Sequence, residues 1–173
     1  NLQLCSSFGV ESYLHLPHSL TKLILPQKQG HIPDVLNRLA YHITDLTFNL
    51  YDFKLQKVPS KIKRLSLQSS KSIETDLVLP ETLEILEMKA SDFNASDMPK
   101  NLKKFKLTTS SFPHITSFPP GLTSFYLDVQ WYPCFLDDLL PKLPITLRCL
   151  GIFGPFDRIQ FFPPNIECLF LGC

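Results

Sequence analysis

The sequence is poor in the features that mark membrane proteins and nucleotide-binding or hydrolytic enzymes. It has only six glycines and one tryptophan among 173 residues. It contains no phosphate-binding glycine loop, no G-x-S-x-G nucleophile motif and no C-x-x-C pair. Its apolar runs are all shorter than the roughly 18–20 residues that a transmembrane helix needs. We therefore expect no membrane span and no catalytic site.

The sequence also has no large excess of positive or negative charge. The 17 lysines and arginines nearly balance the 16 acidic residues, giving a formal net charge of +1. No overall field attracts the chain to nucleic acid, so we expect no nucleic-acid partner. The five cysteines are odd in number, and the five histidines do not converge. The sequence therefore predicts a protein that is not an enzyme and has no cofactor and no metal site.

A proline-led apolar ladder, P-x-x-L-x-x-L-x-L, is what the sequence does contain. Its spacing runs from 19 residues, between Pro80 and Pro99, to 25 residues, between Pro119 and Pro144. Recurrence at such a period is typical of solenoids, in which each unit buries its apolar side against its neighbours. An eighth copy, with Ile43, Leu46 and Phe48, has Ala40 in the proline position, and the seven proline-led copies start at Pro17, Pro59, Pro80, Pro99, Pro119, Pro144 and Pro163.

Each ladder ends in an alternation of apolar and polar residues, which predicts a short strand with one buried face. Equivalent strands enter in the same direction and should form a parallel sheet with neighbours about 4.8 Å apart. A unit of about 20 residues has no room for a full return helix. We expect one domain over residues 1–173, a curved parallel sheet of about eight to nine short strands with extended or 3₁₀ return segments and little α-helix.

Over its whole length the ladder resembles leucine-rich repeat proteins. The short proline-led form, with Phe93-Asn94 after one ladder, is similar to the FNIP-type repeats of amoebae and large viruses and to the L-P-x-x-L repeats of bacterial secreted effectors. The resemblance implies a leucine-rich repeat solenoid that acts as a protein-protein interaction scaffold. The alternative that it implies is the substrate-recognition or adaptor part of a ubiquitin-ligase or secreted effector protein.

Residues that alternate with the buried ladder should point out of the sheet, and in leucine-rich repeat proteins this concave face most often binds partners. It has a basic centre and an apolar C-terminal end. The basic centre is either a solvated surface or a site for an acidic patch, and the apolar end either binds a partner or covers a further repeat. The candidate partner-binding residues are Arg64, Glu87, Lys89, Lys104, Lys106, Tyr126, Asp128, Phe153 and Phe170.

Two further positions leave alternatives open. Trp131 lies with Tyr132 in the longest insertion of the array, which is either a recognition loop or the place of a buried tryptophan. Cys149 and Cys168 occupy equivalent positions on neighbouring strands, about 4.8 Å apart if the register holds. We favour two free thiols in a reducing compartment such as the cytoplasm, with a disulfide as the alternative.

Repeated serines and aromatic residues after the ladders predict structural roles. We expect the serine hydroxyls to satisfy turn backbone groups and the aromatic rings to stack as a spine along the core. The serines are Ser7, Ser70, Ser91 and Ser110, and the aromatic residues are Phe53, Phe93, Phe112 and Tyr132.

The ends of the array look uncapped. Leu2 and Leu4 precede Leu23 and Leu25 by 21 residues, so the chain opens inside a ladder, and no polar capping unit follows Leu171. We expect the array to continue in a longer parent chain on at least one side, or an end to be covered by another domain or chain. End-to-end self-association through the terminal strands is the corresponding partner prediction.

Overall fold

The computed structural model describes residues 2–3, 16–25, 42–50, 57–69, 78–91, 93–95, 98–131, 136–156 and 158–172. The described chain contains eleven strands: β1 (Leu2–Gln3), β2 (Lys22–Ile24), β3 (Asp45–Leu50), β4 (Arg64–Ser69), β5 (Ile85–Ala90), β6 (Asn94–Ala95), β7 (Lys104–Thr109), β8 (His114–Ile115), β9 (Ser124–Val129), β10 (Cys149–Phe153) and β11 (Cys168–Gly172).

Nine of these strands form a single sheet in the order β1-β2-β3-β4-β5-β7-β9-β10-β11, and every neighbouring pair is parallel. The two remaining strands, β6 and β8, lie on return segments and pair with each other in parallel. The only helical segments in the described parts are two 3₁₀ turns, Leu136–Asp138 and Leu140–Lys142. The chain is a parallel β-solenoid with little helix, as the repeat predicts.

Register across the sheet follows the ladder copy by copy. Leu65 on β4 faces Leu86 on β5, which in turn faces Phe105 on β7. At the N-terminal edge of the sheet Leu2 faces Leu23 in the same register. Because equivalent positions face each other, each ladder position becomes a continuous row of side chains across the strands.

Ladder residues form the core, but the last copy departs from the prediction. The ladder side chains of the copies from Ile43 through Ile152 are buried, with exposed fractions of 3% or less. Leu169 and Leu171 on β11 instead keep 44% and 47% of their surface exposed. Within the described residues no further strand packs on the outer side of β11, so these two leucines have a packed neighbour on one side only.

The ladder prolines open hydrogen-bonded turns. In six of the seven proline-led copies the backbone N–H of the first ladder residue, three positions on, donates to the proline carbonyl, for example from Leu83 to Pro80 at 3.0 Å and from Leu102 to Pro99 at 3.1 Å. Proline has no N–H, and at the start of such a turn none is needed. The P-x-x-L spacing is therefore the length of one turn, and the turn delivers a buried leucine to the start of each strand.

Aromatic packing in the core differs from the predicted spine. Phe93 is buried and packs against Phe105 at a ring-centroid distance of 5.6 Å, and Phe105 continues to Phe125 at 5.5 Å. The next contact is with Phe118, which precedes a ladder proline, at 5.0 Å from Phe125. Ladder phenylalanines thus supply much of the spine, Phe112 packs half-buried against it, and Phe53 and Tyr132 lie outside the described residues.

Hydroxyl groups at one repeated turn satisfy a backbone carbonyl, but they belong to Thr109 and Ser111 and not to the predicted serines. The carbonyl of Ser91 accepts hydrogen bonds from the backbone N–H of Ser110 at 3.1 Å and from Oγ1 of Thr109 at 3.0 Å. Oγ of Ser111 donates to the same carbonyl at 3.2 Å. These bonds tie two neighbouring return segments together, while Ser7 and Ser70 lie outside the described residues.

Candidate functional site

The outward face of the sheet carries all nine candidate partner-binding residues, arranged in three rows. The middle row runs from Glu87 on β5 through Lys106, Tyr126 and Gly151 to Phe170 on β11. The row above it contains Lys89, Thr108, Asp128, Phe153 and Gly172, and the row below contains Arg64, Ile85, Lys104, Ser124, Cys149 and Cys168. Residues about 20 positions apart in sequence thus become neighbours on one surface.

A hollow of about 490 Å³ lies on this face over strands β7, β9 and β10. Its floor is formed at Leu107 and Leu127, which belong to the buried ladder. Four of the nine candidates line it: Lys106, Tyr126, Asp128 and Phe153. The hollow therefore combines a cation, an anion and two aromatic rings around an apolar floor.

Glycines on the last two strands let the aromatic rings lie flat over the sheet. A Cβ atom built on Gly151 would overlap Cδ1 of the Tyr126 ring and stand 2.9 Å from its Cε1 atom. A Cβ atom on Gly172 would lie 2.8 Å from Cδ1 of Phe153. Tyr126 reaches across Gly151 to Phe170, with ring centroids 6.0 Å apart. We call Tyr126, Phe153 and Phe170 the aromatic platform.

The basic centre divides into a paired and an unpaired part. Nε of Arg64 lies 3.5 Å from Oδ1 of Asp45 on the neighbouring strand, so part of its charge is already compensated. Lys104 and Lys106 form no ion pair with any described residue, and both are exposed. The ammonium groups that remain for a partner are therefore those beside the hollow. Lys89, also exposed, lies one row further along β5.

Burial perturbs the tyrosine of the platform. The pKa of Tyr126 is raised above its usual value first by desolvation and then by the nearby Cys149 and Cys168, whose thiolate charges would repel a phenolate. The Tyr126 hydroxyl therefore stays protonated through the neutral range. It offers a partner a hydrogen-bond donor at the edge of an otherwise apolar surface.

The cysteine pair lies beside the platform in the predicted register, with Cys149 directly facing Cys168. Both are free, Cys149 half-buried and Cys168 exposed. The pKa of the Cys168 thiol is raised, first by a hydrogen bond to Cys149 and then by the charge of that neighbour. A raised pKa lowers the thiolate fraction, so this sulfur is a weak nucleophile at neutral pH.

The residues of the insertion after β9 differ in burial. Trp131 has 74% of its surface exposed, so the prediction of a buried tryptophan is wrong. Leu136, Leu139 and Leu140 are buried instead: Leu136 and Leu140 belong to the two 3₁₀ turns, and Leu139 lies between them. Tyr132 lies outside the described residues.

Metal ligands do not gather in the parts of the chain that the structure describes: no three His, Cys, Asp or Glu side chains come together there. His18 contacts the ring of His42 at a centroid distance of 5.5 Å, and His15 lies outside the described residues. The described chain also has no helix long and apolar enough to cross a bilayer.

Gly151→Ala tests the ring arrangement of the platform. The added methyl group would overlap Cδ1 of the Tyr126 ring, so the whole ring should swing toward solvent at a cost in stability of about 1 kcal/mol. With its main cause, desolvation, relieved, the Tyr126 pKa should fall toward its ordinary value. Difference titration of tyrosinate absorbance between Gly151→Ala and Gly151→Ala/Tyr126→Phe isolates the Tyr126 signal. An unchanged pKa would show that the ring does not lie over Gly151.

The outward face combines charged and aromatic groups around an open hollow. Lys106, Asp128, Tyr126 and Phe153 line the hollow, Lys104 and Phe170 lie elsewhere in the outward rows, and the pKa of the Cys168 thiol is raised. The nine candidates lie in outward rows of the sheet, but the two glycines that shape this surface were not among them. The signal was present, since Gly151 and Gly172 fall on outward positions next to aromatic residues in the same rows. Comparison of the chain with protein-family models, curated proteins and solved structures finds no match.

Proposed function

We propose that this chain is a leucine-rich-repeat-type interaction scaffold that binds a protein partner on the outward face of its sheet. The observation that carries the proposal is the hollow lined by Lys106, Tyr126, Asp128 and Phe153. Its position over three strands lets it accept a side chain from a segment that runs across the sheet. Aromatic anchors in or beside a pocket are the typical energetic centre of a protein interface.

The partner segment that fits has an apolar side chain next to an acidic one. The apolar side chain enters the hollow between Tyr126 and Phe153 and displaces water from their rings. The acidic residue lies over Lys104 and Lys106, which form no ion pair with a described residue, although Glu87 faces Lys106 in register. Asp128, on the opposite side of the hollow, disfavours a second acidic residue there and so fixes the direction of the segment.

A non-catalytic role is part of the proposal. Catalysis by the cysteine pair would require an activated thiolate, whereas the Cys168 pKa is shifted upward and Glu167, the nearest acidic contributor, raises it further. The platform beside it is apolar and holds its tyrosine protonated. These features favour binding over chemistry at this surface.

Peptide selection tests the proposal without requiring the natural partner. A library of displayed peptides is enriched on the wild-type chain, and the winning peptides are titrated by isothermal calorimetry. We expect an acidic residue next to an aromatic or long aliphatic one. Phe153→Ser/Phe170→Ser should weaken binding at least tenfold, which corresponds to about 1.4 kcal/mol or more. Lys104→Glu/Lys106→Glu should weaken it similarly and flatten its salt dependence.

Two matched control variants carry the same chemical changes away from the outward face. Phe161→Ser alters an exposed phenylalanine in a return segment, and Lys100→Glu reverses an exposed lysine in a turn. Both should leave peptide affinity within about twofold of wild type. If the control variants lose as much affinity as the platform and lysine variants, or if no peptide is enriched, the outward face is not the binding surface.

A further inference from the structure

We propose that Cys149 and Cys168 form a redox-active dithiol that closes to a cross-strand disulfide when it meets a low-molecular-weight disulfide such as oxidised glutathione. The proposal does not depend on the proposed binding function. It assigns a modification site to the two strands next to the aromatic platform.

Cys149 and Cys168 are neighbours in the register of the sheet. Cys149 on β10 and Cys168 on β11 are direct partners in a parallel pair and lie on the same face of the sheet. Neighbouring strands are about 4.8 Å apart, which falls within the roughly 4.4–6.8 Å range of Cα separations found across disulfides. Cys149 is also the main cause of the raised Cys168 pKa, which agrees with the two thiols being close neighbours on this face.

The two cysteines differ in their exposure to solvent. Cys168 is exposed and Cys149 is half-buried, so a small oxidant reaches the former directly. Within the described chain β11 pairs with β10 alone. A strand held on one side can move by a few tenths of an ångström without breaking a second ladder. This freedom matters because Cβ atoms of bonded cysteines lie at about 3.5–4.5 Å, slightly closer than the strand spacing.

The reaction proceeds by two thiol-disulfide exchanges. The Cys168 thiolate attacks one sulfur of oxidised glutathione, forming a mixed disulfide and releasing one glutathione thiolate. The Cys149 thiolate then attacks the Cys168 sulfur, which releases the second glutathione thiolate and leaves the Cys149–Cys168 bond. Two protein thiols lose two protons and two electrons in total, and one oxidised glutathione becomes two reduced ones. Since Cys168 is a weak acid, the first exchange is the slow one.

A Cys149–Cys168 disulfide would also affect the aromatic rings beside it. Both cysteines contribute to the raised pKa of Tyr126, whose ring contacts Phe170, two residues after Cys168. A covalent link between β10 and β11 would therefore fix the strand that carries Phe170 relative to the ring of Tyr126. The apolar end of the outward face would become more rigid when oxidised.

Peptide mapping tests the proposal on the full chain. The protein is incubated with oxidised glutathione at mildly alkaline pH, remaining thiols are blocked with N-ethylmaleimide, and trypsin cleaves after Arg148 and Arg158. We expect residues 149–158 linked to residues 159–173, a mass lower by two hydrogen atoms than the sum of the two peptides, and the loss of two alkylatable thiols. Fragmentation of the linked peptide distinguishes Cys168 from Cys173.

Single serine substitutions provide the controls. Cys149→Ser and Cys168→Ser should each abolish the linked pair and leave a stable glutathione adduct on the remaining cysteine, while Cys173→Ser should leave the link intact. Circular dichroism confirms that all three variants are folded. The proposal is overturned if wild type yields only glutathione adducts, if it yields no product, or if the bond joins Cys149 to Cys173.

Discussion

Leu86→Asp should unfold this protein at ambient temperature or bring it close to unfolding, although the same substitution at Leu169 should be tolerated. Leu86 has no exposed surface and lies in register between Leu65 and Phe105. The substitution removes about 1.5–3 kcal/mol of burial and places a carboxylate with no partner in the core. The combined loss, about 5 kcal/mol or more, is comparable to the whole stability of an ordinary domain, about 5–15 kcal/mol.

In a solenoid, a destabilising substitution in one repeat also weakens the neighbouring repeats. Each repeat is stabilised mainly by its two neighbours, so a charge in the middle of the stack weakens both adjoining interfaces together. Leu169 occupies the same ladder position on β11 but is 44% exposed, so an aspartate there can remain in water. Leu169→Asp should cost about 1 kcal/mol or less.

Urea unfolding followed by far-ultraviolet circular dichroism measures both variants against wild type. The midpoint for Leu86→Asp should fall to near zero denaturant, and the midpoint for Leu169→Asp should stay close to wild type. Equal midpoints for the two variants would mean that the ladder row is not buried in the way described. The pair thus tests the core through one chemical change at a buried middle position and an exposed end position of the same row.

Sheet architecture was predictable because two periods in the sequence agree. The alternation inside each ladder sets which face of a strand is buried, and the spacing between ladders sets which residues face each other. The same two periods predict that Cys149 faces Cys168, as the structure confirms. They also place Asp45 and Arg64 in one outward row on adjacent strands, so their ion pair follows from the register.

The shape of the outward face was less predictable, because it depends on the conformations of the side chains and not only on the strand positions that carry them. Tyr126 lies across the sheet because Gly151 leaves space beside it, a feature that depends on one residue and has no period. Trp131 is exposed, whereas Leu136, Leu139 and Leu140 in and between the 3₁₀ turns are buried. Neither feature recurs with the repeat, so the repeat pattern does not predict it.

Gly154→Ala should produce the second large loss of stability. Gly154 follows β10 directly and has a backbone φ of 115°, a conformation that residues with a side chain rarely adopt. Its N–H donates to the carbonyl of Gly172 at 2.9 Å, which joins the ends of β10 and β11. The conformation alone would cost alanine roughly 1–3 kcal/mol.

Space adds to this cost. A Cβ atom on Gly154 would overlap the carbonyl oxygen of Val129 and lie 3.0 Å from its carbonyl carbon. These are backbone atoms of β9, so no side-chain rotation can relieve the overlap. Either β10 shifts against β9 or the turn opens, and both changes disturb Phe153, the residue before Gly154 and part of the platform. We expect a total loss of about 3 kcal/mol or more, which lowers the melting temperature by roughly 6–12 °C in a chain of this length.

Gly121→Ala is the matched control, because the two substitutions add the same methyl group. A Cβ atom on Gly121 would find its nearest neighbour, the carbonyl oxygen of Lys100, at 3.7 Å, an ordinary contact distance. Differential scanning calorimetry should therefore show Gly121→Ala close to wild type and Gly154→Ala well below it. Peptide affinity measured below both melting temperatures should fall only for Gly154→Ala, because only that turn supports Phe153. If Gly154→Ala and Gly121→Ala have the same melting temperature, the turn after β10 does not hold the left-handed conformation in solution. The position of Phe153 over Gly172 must then have another cause.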